Sequence, residues 1–207
     1  RMHAAAAVAL RSVAARQQRT VRIGIAHHER RLRPRNPHNP LDRLVCLAPD
    51  HILNRWFLDA CTSGRLPWPV GGGTEVAGLA GSLDYIGVNY YCEEVVAFSL
   101  AERQSLFART LPEPGLPRST FGWSIDPPGL QRALAALWAR YGLPLIVLEN
   151  GVADEHDELR PQFIRAHLRA LHRAMLDGVD VRGYLHWTAL DNFEWAQGYS
   201  QHFGLYE

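Results

Sequence analysis

The sequence contains no lysine, so all 22 of its basic residues other than histidine are arginine. That absence reads as genome composition rather than as a site. Cysteine is scarce too: Cys46, Cys61 and Cys92 are the only three. An odd number with no CxxC pair argues against a disulfide framework or a zinc knuckle and fits a reducing compartment, so a cytoplasmic location is expected. No apolar run reaches 18 residues, and no membrane-spanning helix is expected. Ala4–Leu10 is apolar but follows only Arg1 and His3 with no clear cleavage site, and reads as helix rather than signal peptide. A net charge of +1 implies neither a nucleic-acid nor a membrane partner. The arginines of the first 35 residues, opposed only by Glu29, lack interleaved aromatics. They read as a solvated face and loop rather than a phosphate-binding arm. The 10 histidines include the neighbours His27 and His28 and the pair His167 and His172. Neither pair has the i, i+4 spacing that presents two imidazoles on one helix face, so no metal site is expected.

What remains is an ordinary globular composition, 47% hydrophobic and 21% charged over 207 residues, which suits a single domain. Short β-rich runs alternate with amphipathic helical runs. Strands are predicted over Val21–Ala26, Leu83–Tyr90, Leu145–Asn150 and Val181–Trp187. Two of these are mostly apolar rather than alternating, as strands covered on both faces are. A helix over Ala4–Arg16 feeds the first strand. Asp50 is expected to cap a second helix whose buried stripe is Ile52, Leu53, Trp56, Phe57 and Ala60, stopped by Gly64. Asp126-Pro127 opens a third helix, with Leu130, Leu134, Leu137, Trp138 and Tyr141 on its stripe and Gly142 after it. A fourth is predicted from about Pro161 to Asp177 with Ile164, Leu168, Leu171 and Met175 on one face. Arg31–Pro40, Pro67–Gly73 and Leu111–Pro117 read as loops. The alternation predicts an α/β fold of parallel strands joined by right-handed crossover helices. An eight-stranded barrel of that kind needs about 250 residues, so four strands with these spacers make a small open sheet or part of a barrel.

Polar residues gather at the carboxyl ends of the predicted strands: Asn89 and Tyr91, Glu149, and His186-Trp187 followed by Glu194-Trp195. That edge carries the active site in parallel α/β barrels. Glu149 ends the apolar run Leu145–Leu148, and Glu194 is a second carboxylate among Tyr91, Trp187, Trp195 and Phe203. Acids interleaved with aromatic faces suit a sugar, whose C–H faces stack on rings and whose hydroxyls donate to carboxylates.

These segments carry a resemblance. Val147-Leu-Glu-Asn-Gly151 is similar to the nucleophile motif of glycoside hydrolase family 1, the β-glucosidase family of (β/α)8 barrels. Tyr184–Tyr199, continued by Phe203-Gly-Leu205, resembles its strand-eight segment. Asp84–Tyr91 resembles strand six, and Gly122–Leu130 resembles the stretch before helix six. Trp56-Phe-Leu-Asp59 with Gly64 and Pro67 also fits. The resemblance implies a single partial barrel domain over residues 1–207, the C-terminal half of the barrel with strands five to eight. It implies a retaining hydrolase of β-glucosides and other β-glycosides or oligosaccharides, with no cofactor and no metal. Glu149 is then the nucleophile, and Tyr91 donates a hydrogen bond that holds it. Asn89 lines the sugar subsite, Trp187 stacks under the sugar ring, Glu194 and Trp195 bind its hydroxyls, and Phe203 closes the wall.

The family's general acid lies in a Thr-Phe-Asn-Glu-Pro motif that this sequence lacks. Glu113 stands between prolines in a loop elsewhere, and Glu194 matches a sugar-binding position. Two departures are local: Leu148 replaces a usual Thr, and His202 stands where Arg is common. The expectation is an incomplete site on a half barrel with two open strand edges, which self-associates or needs the missing N-terminal half. The alternative is a carbohydrate-binding or truncated remnant without catalysis.

Overall fold

The computed structural model describes residues 1–206. Four parallel strands form the central sheet: β1 (Gly24–His28), β3 (Tyr85–Asn89), β6 (Leu145–Glu149) and β7 (Val181–Tyr184), in the order β1-β3-β6-β7. A smaller sheet, β2 (Arg31–Pro34), β4 (Glu93–Phe98) and β5 (Ala108–Leu111), lies beyond the carboxyl ends of β1 and β3, in the order β2-β4-β5. The helices are α1 (Met2–Arg16), α2 (Pro40–Asp50), α3 (Trp56–Ser63), α4 (Pro127–Tyr141) and α5 (Arg160–Leu176).

The core lies between the sheet and the helices. Ile86, Val88, Leu145 and Val147 face the helix layer and are fully buried against side chains such as Leu130, Leu134 and Ala174. Their neighbours point to the concave side, where Ile146 and Leu148 are only half-buried. A Cβ on Gly87 would overlap the tip of the Leu148 side chain, so glycine gives that leucine room on the concave face.

Local signals held where they were local. Asp126 caps α4 by accepting from the Gly129 amide at 3.1 Å, and Gly142 ends that helix at φ 60°. Four expectations are corrected. β1 starts at Gly24 rather than Val21, which is exposed, and runs on through His28. Arg31–Pro40 is not all loop: Arg31–Pro34 pairs with β4 in the smaller sheet. The helix expected to start at Asp50 starts ten residues earlier, where the Asn39 side chain accepts from the Leu41 amide at 3.0 Å and Pro40 takes the first position. Pro49 lacks the N–H that would continue this helix, and a π-helical turn (His51–Arg55) follows before α3. Asp50 therefore bonds Asn54 Nδ2 at 2.9 Å inside the helical run, and Ile52 and Leu53 stay exposed. Lastly, α5 buries Phe163, His167, Ala170, Leu171 and Ala174, so its inner face is rotated from the predicted stripe.

His167 is fully buried, donates through Nδ1–H to the Phe163 carbonyl at 2.9 Å, and stacks on the Phe163 ring. Burial lowers its pKa to about 4. His186 is also lowered to about 4, by burial and then by the charge of Arg160. Both titrate near 6.5 once unfolded. Below that value the unfolded chain binds protons that the folded chain refuses, so the stability from these neutral rings is complete above pH 6.5 and is lost as pH falls toward 4. Urea midpoints are expected to fall through this window, and His167→Gln is expected to flatten part of the slope.

Candidate active site

Register brings Glu149, the last residue of β6, opposite Asn89, the last residue of β3. Three strand ends are braced below them by Asn150. It is fully buried, donates through Nδ2 to the Tyr90 carbonyl at 2.8 Å, and accepts from Tyr184 Oη at 3.0 Å. The Asn150 carbonyl then accepts from the Trp187 amide at 3.1 Å, which seats Trp187 beside β6. A Cβ on Gly151 would overlap the Trp187 carbonyl, so glycine permits this approach.

Tyr91 Oη donates to Glu149 Oε2 at 2.7 Å. Burial, then the hydrogen bond to Glu149 and the charges of Glu149 and Glu194, hold the Tyr91 pKa well above that of an ordinary phenol. The hydroxyl therefore stays protonated and remains a donor. Trp187 Nε1 donates to Glu194 Oε1 at 3.3 Å, tying one indole to the second carboxylate. Tyr91, Glu149, Trp187, Glu194, Trp195 and Phe203 line one cavity of about 410 Å³. Phe203 is buried, while Trp195 stands at the mouth, 87% exposed. Asn89 is not on the lining. It sits at the strand end with its Oδ1 buried and without a hydrogen-bond partner.

Phe121 and Trp123 also line the cavity, and the sequence reading singled out neither as a site residue. Their ring centroids lie 4.4 Å apart, and Trp123 is 5.2 Å from Tyr91 and 6.3 Å from Phe203. They lie in an irregular segment before α4, where no periodicity marks them. Two large aromatics in a loop shortly before a capped helix were the available signal. A larger hollow of about 600 Å³ adjoins on the β1 side and shares the wall made by Tyr91 and Trp123. It lacks both Glu149 and Glu194, so the chemistry lies in the smaller one. His28, edge-on to Tyr91 at 6.1 Å, stands on that side.

Behind the cavity, buried Arg160 holds two segments together. Nη1 donates to the carbonyls of Val152 at 2.9 Å and Phe203 at 3.1 Å, and Nη2 to those of Asp154 at 3.2 Å and His202 at 3.4 Å. Asp154 Oδ2 accepts from the amides of Leu159 and Arg160, capping α5. Asp191 accepts from the Gly204 amide and from His202 Nδ1, each at 2.6 Å. Among the described residues no three His, Cys, Asp or Glu are grouped to hold a metal ion. Nor is any helix among them long and apolar enough to cross a membrane.

The described site is one carboxylate at a strand end, oriented by a phenol and surrounded by indoles, with a second carboxylate bonded to one of them. Such an arrangement can attack an electrophilic carbon beside a stacked, hydroxyl-bearing ring. The chain is 45% identical over 166 residues to a β-galactosidase of Sulfolobus acidocaldarius, a match covering 74% of this chain and 32% of that protein. It is 37% identical over 193 residues to a bifunctional β-D-glucosidase/β-D-fucosidase of Bifidobacterium breve, covering 42% of that protein. Among solved structures, a β-glycosidase from Pyrococcus horikoshii superposes with a TM-score of 0.77 at 34% identity, over 89% of this chain and 42% of that one. A β-glucosidase from Exiguobacterium marinum does so with a TM-score of 0.85 at 26% identity, over 99% of this chain and 50% of that one. The chain thus spans a third to a half of these relatives, and its four parallel strands are half of their (β/α)8 barrel. The sequence profile of glycosyl hydrolase family 1 matches residues 1–207, and the chain belongs to that family.

Proposed function

We propose that this chain carries the nucleophile and sugar-binding half of a retaining β-glycosidase. The observation that carries this reading is the 2.7 Å hydrogen bond from Tyr91 to Glu149 inside a cavity walled by Trp187 and Trp195. Glu149 attacks the anomeric carbon of a β-glucoside or β-galactoside, the bond to the leaving oxygen breaks, and a glycosyl ester forms on the carboxylate. Tyr91 fixes the attacking oxygen. Trp187 stacks under the sugar, Glu194 and Trp195 take its hydroxyls, and Phe203 closes the wall, while Asn89 stays behind the lining at the end of β3.

Retention also needs a carboxylic acid about 5–5.5 Å from the nucleophile to protonate the leaving oxygen. The Thr-Phe-Asn-Glu-Pro motif that supplies it in the family is not in this sequence. Glu113 sits beside Arg33 in the smaller sheet's neighbourhood and does not line the cavity, so it is no substitute. Among the described residues the only carboxylates lining the cavity are Glu149 and Glu194, so no third carboxyl group stands ready there as the acid. Cys46, Cys61 and Cys92 are all free, and we place the protein in a reducing compartment, the cytoplasm.

Incubation with a 2-deoxy-2-fluoro β-glycoside carrying a dinitrophenyl leaving group tests the reading. Such a leaving group departs without protonation, and the fluorine slows breakdown of the ester. Intact mass is expected to rise by one fluoroglycosyl unit, mapped to Glu149 by peptide analysis and absent in Glu149→Gln. No adduct, combined with measurable glucoside binding, would leave a sugar-binding module in place of a catalyst.

A further inference from the structure

Past the end of β7, segments 187–191 and 202–206 run side by side. The Thr188 amide donates to the Phe203 carbonyl at 3.1 Å, the Leu205 amide to the Thr188 carbonyl at 2.9 Å, and the Asp191 amide to the Tyr206 carbonyl at 3.1 Å. The residues between them, 192–201, form one lobe. Inside it the Glu194 amide donates to the Gly198 carbonyl at 2.7 Å, and the Phe193 and Tyr199 rings meet edge-to-face at 5.4 Å. The lobe supplies Glu194, Trp195, Ala196 and Gln197 to the sugar cavity, whereas Glu149 ends β6 and Tyr91 stands just past β3.

At the neck of the lobe Asp191 ties one end to the other. Its Oδ1 accepts from the Gly204 amide and its Oδ2 from His202 Nδ1, each at 2.6 Å. Burial alone would raise the Asp191 carboxyl. The Gly204 amide, then the hydrogen bond and charge of His202 and the charge of Arg160, bring it below the ordinary carboxylate value. Asp191 is thus an anion at neutral pH, and its bond to His202 strengthens when the imidazole gains a proton. Imidazoles change charge between about pH 5 and 8. The His202 side chain is 40% exposed, so solvent protons reach it. Asp154, Glu155 and Asp157 approach the pair from the segment after β6, Arg160 from α5, and Tyr206 from the adjoining segment. Asp154 is engaged by the Leu159 and Arg160 amides, and Asp157 by Arg160. Glu155 points to solvent. Carboxylates, arginine and tyrosine ordinarily titrate outside that range, so within this group His202 is the residue that changes charge near neutrality.

We propose that His202 and Asp191 form a pH-dependent clamp on the lobe, closed by protonation, that positions Glu194 and Trp195 for the sugar. The consequence for sugar affinity rests on the function proposed above; the clamp itself does not. Protonated His202 draws the two ends of the lobe together through a charge-assisted bond. Neutral His202 donates a weaker one, and the lobe moves more freely. Sugar binding is therefore tighter at the acid end of the range, while attack by Glu149, which lies off the lobe, is unaffected. His202 lines neither the sugar cavity nor the hollow beside it and acts through Asp191, as a positioning residue.

Trp195 reports on the lobe without any sugar. The difference in fluorescence between the parent chain and Trp195→Phe is expected to change in one step with pH, at the midpoint of the His202 imidazole signal in nuclear magnetic resonance spectra. KM for a dinitrophenyl β-glucoside is expected to rise about 3-fold as pH rises through that midpoint, with no step in kcat there. His202→Arg carries a permanent charge, and the half-exposed position gives the longer side chain room. It is expected to abolish both steps and to hold the low-pH KM throughout. His202→Asn keeps a donor without the charge and is expected to hold the high-pH values throughout. A fluorescence difference with no step at the His202 midpoint, steps that survive in His202→Arg, or cleavage whose KM ignores the fluorescence step would overturn the proposal. A chain that neither cleaves nor binds the glucoside, yet loses its fluorescence step in His202→Arg, would keep the clamp and overturn the function proposed above.

Discussion

Turnover by this chain is expected to depend steeply on the leaving group, with a dinitrophenyl β-glucoside cleaved and a methyl β-glucoside left intact. The reason lies in the division of labour at the cavity. Attack needs only Glu149, which Tyr91 holds at 2.7 Å. Departure of an alkoxide needs a proton, and general acid help is worth typically about 10²–10⁴-fold. A dinitrophenolate is stable without that proton, so it leaves at the rate Glu149 can set. The ratio of kcat/KM for the two substrates is therefore expected to exceed that of a glycosidase with its acid in place by about the same 10²–10⁴-fold that the acid supplies. Glu149→Gln removes the nucleophile and is expected to abolish cleavage of both. Tyr91→Phe removes a charge-assisted hydrogen bond of about 1.5–3 kcal/mol, part of which positions the attacking oxygen, and is expected to lower kcat by roughly 10-fold. Initial rates over a series of aryl glycosides measure all three. Equal cleavage of the methyl and dinitrophenyl glycosides would mean that an acid is present in the chain, and Glu194→Gln would then show whether it is the carboxylate bonded to Trp187.

How much of this was legible in the sequence depended on the range of the signal. β6 was legible because Leu145–Leu148 is an unbroken apolar run too short for a helix, and Glu149 marks its end. The α4 cap at Asp126 and stop at Gly142 were legible because both act within a few residues. The smaller sheet was not. Arg31-Leu-Arg-Pro34 and Ala108-Arg-Thr-Leu111 are short and charged, and they become strands only because β4 runs between them. The start of α2 was hidden by the proline-rich stretch before it, where Asn39-Pro40 is a cap and first turn rather than more loop. Within the cavity, the reading found the residues on or just after the strands. It passed over Phe121 and Trp123, whose loop is placed by long-range packing against Tyr91 and Phe203. Arg160 was invisible for a related reason. Arginine is rarely buried, and its acceptors are carbonyls from segments about 50 residues apart in the chain, which carry no side-chain signature.

Arg160→Met is expected to lower the stability of the fold by about 3 kcal/mol and to loosen the sugar site with it. The guanidinium is buried and serves carbonyls on both sides of a joint, Val152 and Asp154 after β6 and His202 and Phe203 near the chain's end. Methionine fills the apolar stem but donates nothing, so the Val152 and Asp154 carbonyls lose their partner at about 1–3 kcal/mol each, while His202 still accepts from the Asp154 amide at 2.9 Å and Phe203 from the Thr188 amide at 3.1 Å. Relief of the guanidinium's own desolvation offsets part of that sum, which sets the net figure near 3 rather than near the total. For a chain of this length that is a fall in Tm of roughly 6–12 °C. The charge partner contributes little, because Asp157 is 68% exposed. Asp157→Asn is expected to change stability by about 1 kcal/mol or less. Arg160→Lys keeps the charge but not the planar fork, so it reaches fewer carbonyls and is expected to fall between the parent and the methionine variant. The functional consequence follows from what the joint carries. Segment 202–203 places Phe203 against Tyr91, and segment 150–154 begins at the Asn150 carbonyl that seats Trp187. Loosening both is expected to raise KM for an aryl glycoside more than it lowers kcat, since Glu149 and Tyr91 sit on β6 and just past β3 and keep their own hydrogen bond. Urea unfolding followed by tryptophan fluorescence, beside kinetics on the dinitrophenyl substrate, separates the two effects. A methionine variant within about 1 kcal/mol of the parent would show that the carbonyls find water in place of Arg160, and that packing and the hydrogen bond from the Asp154 amide to the His202 carbonyl hold the joint.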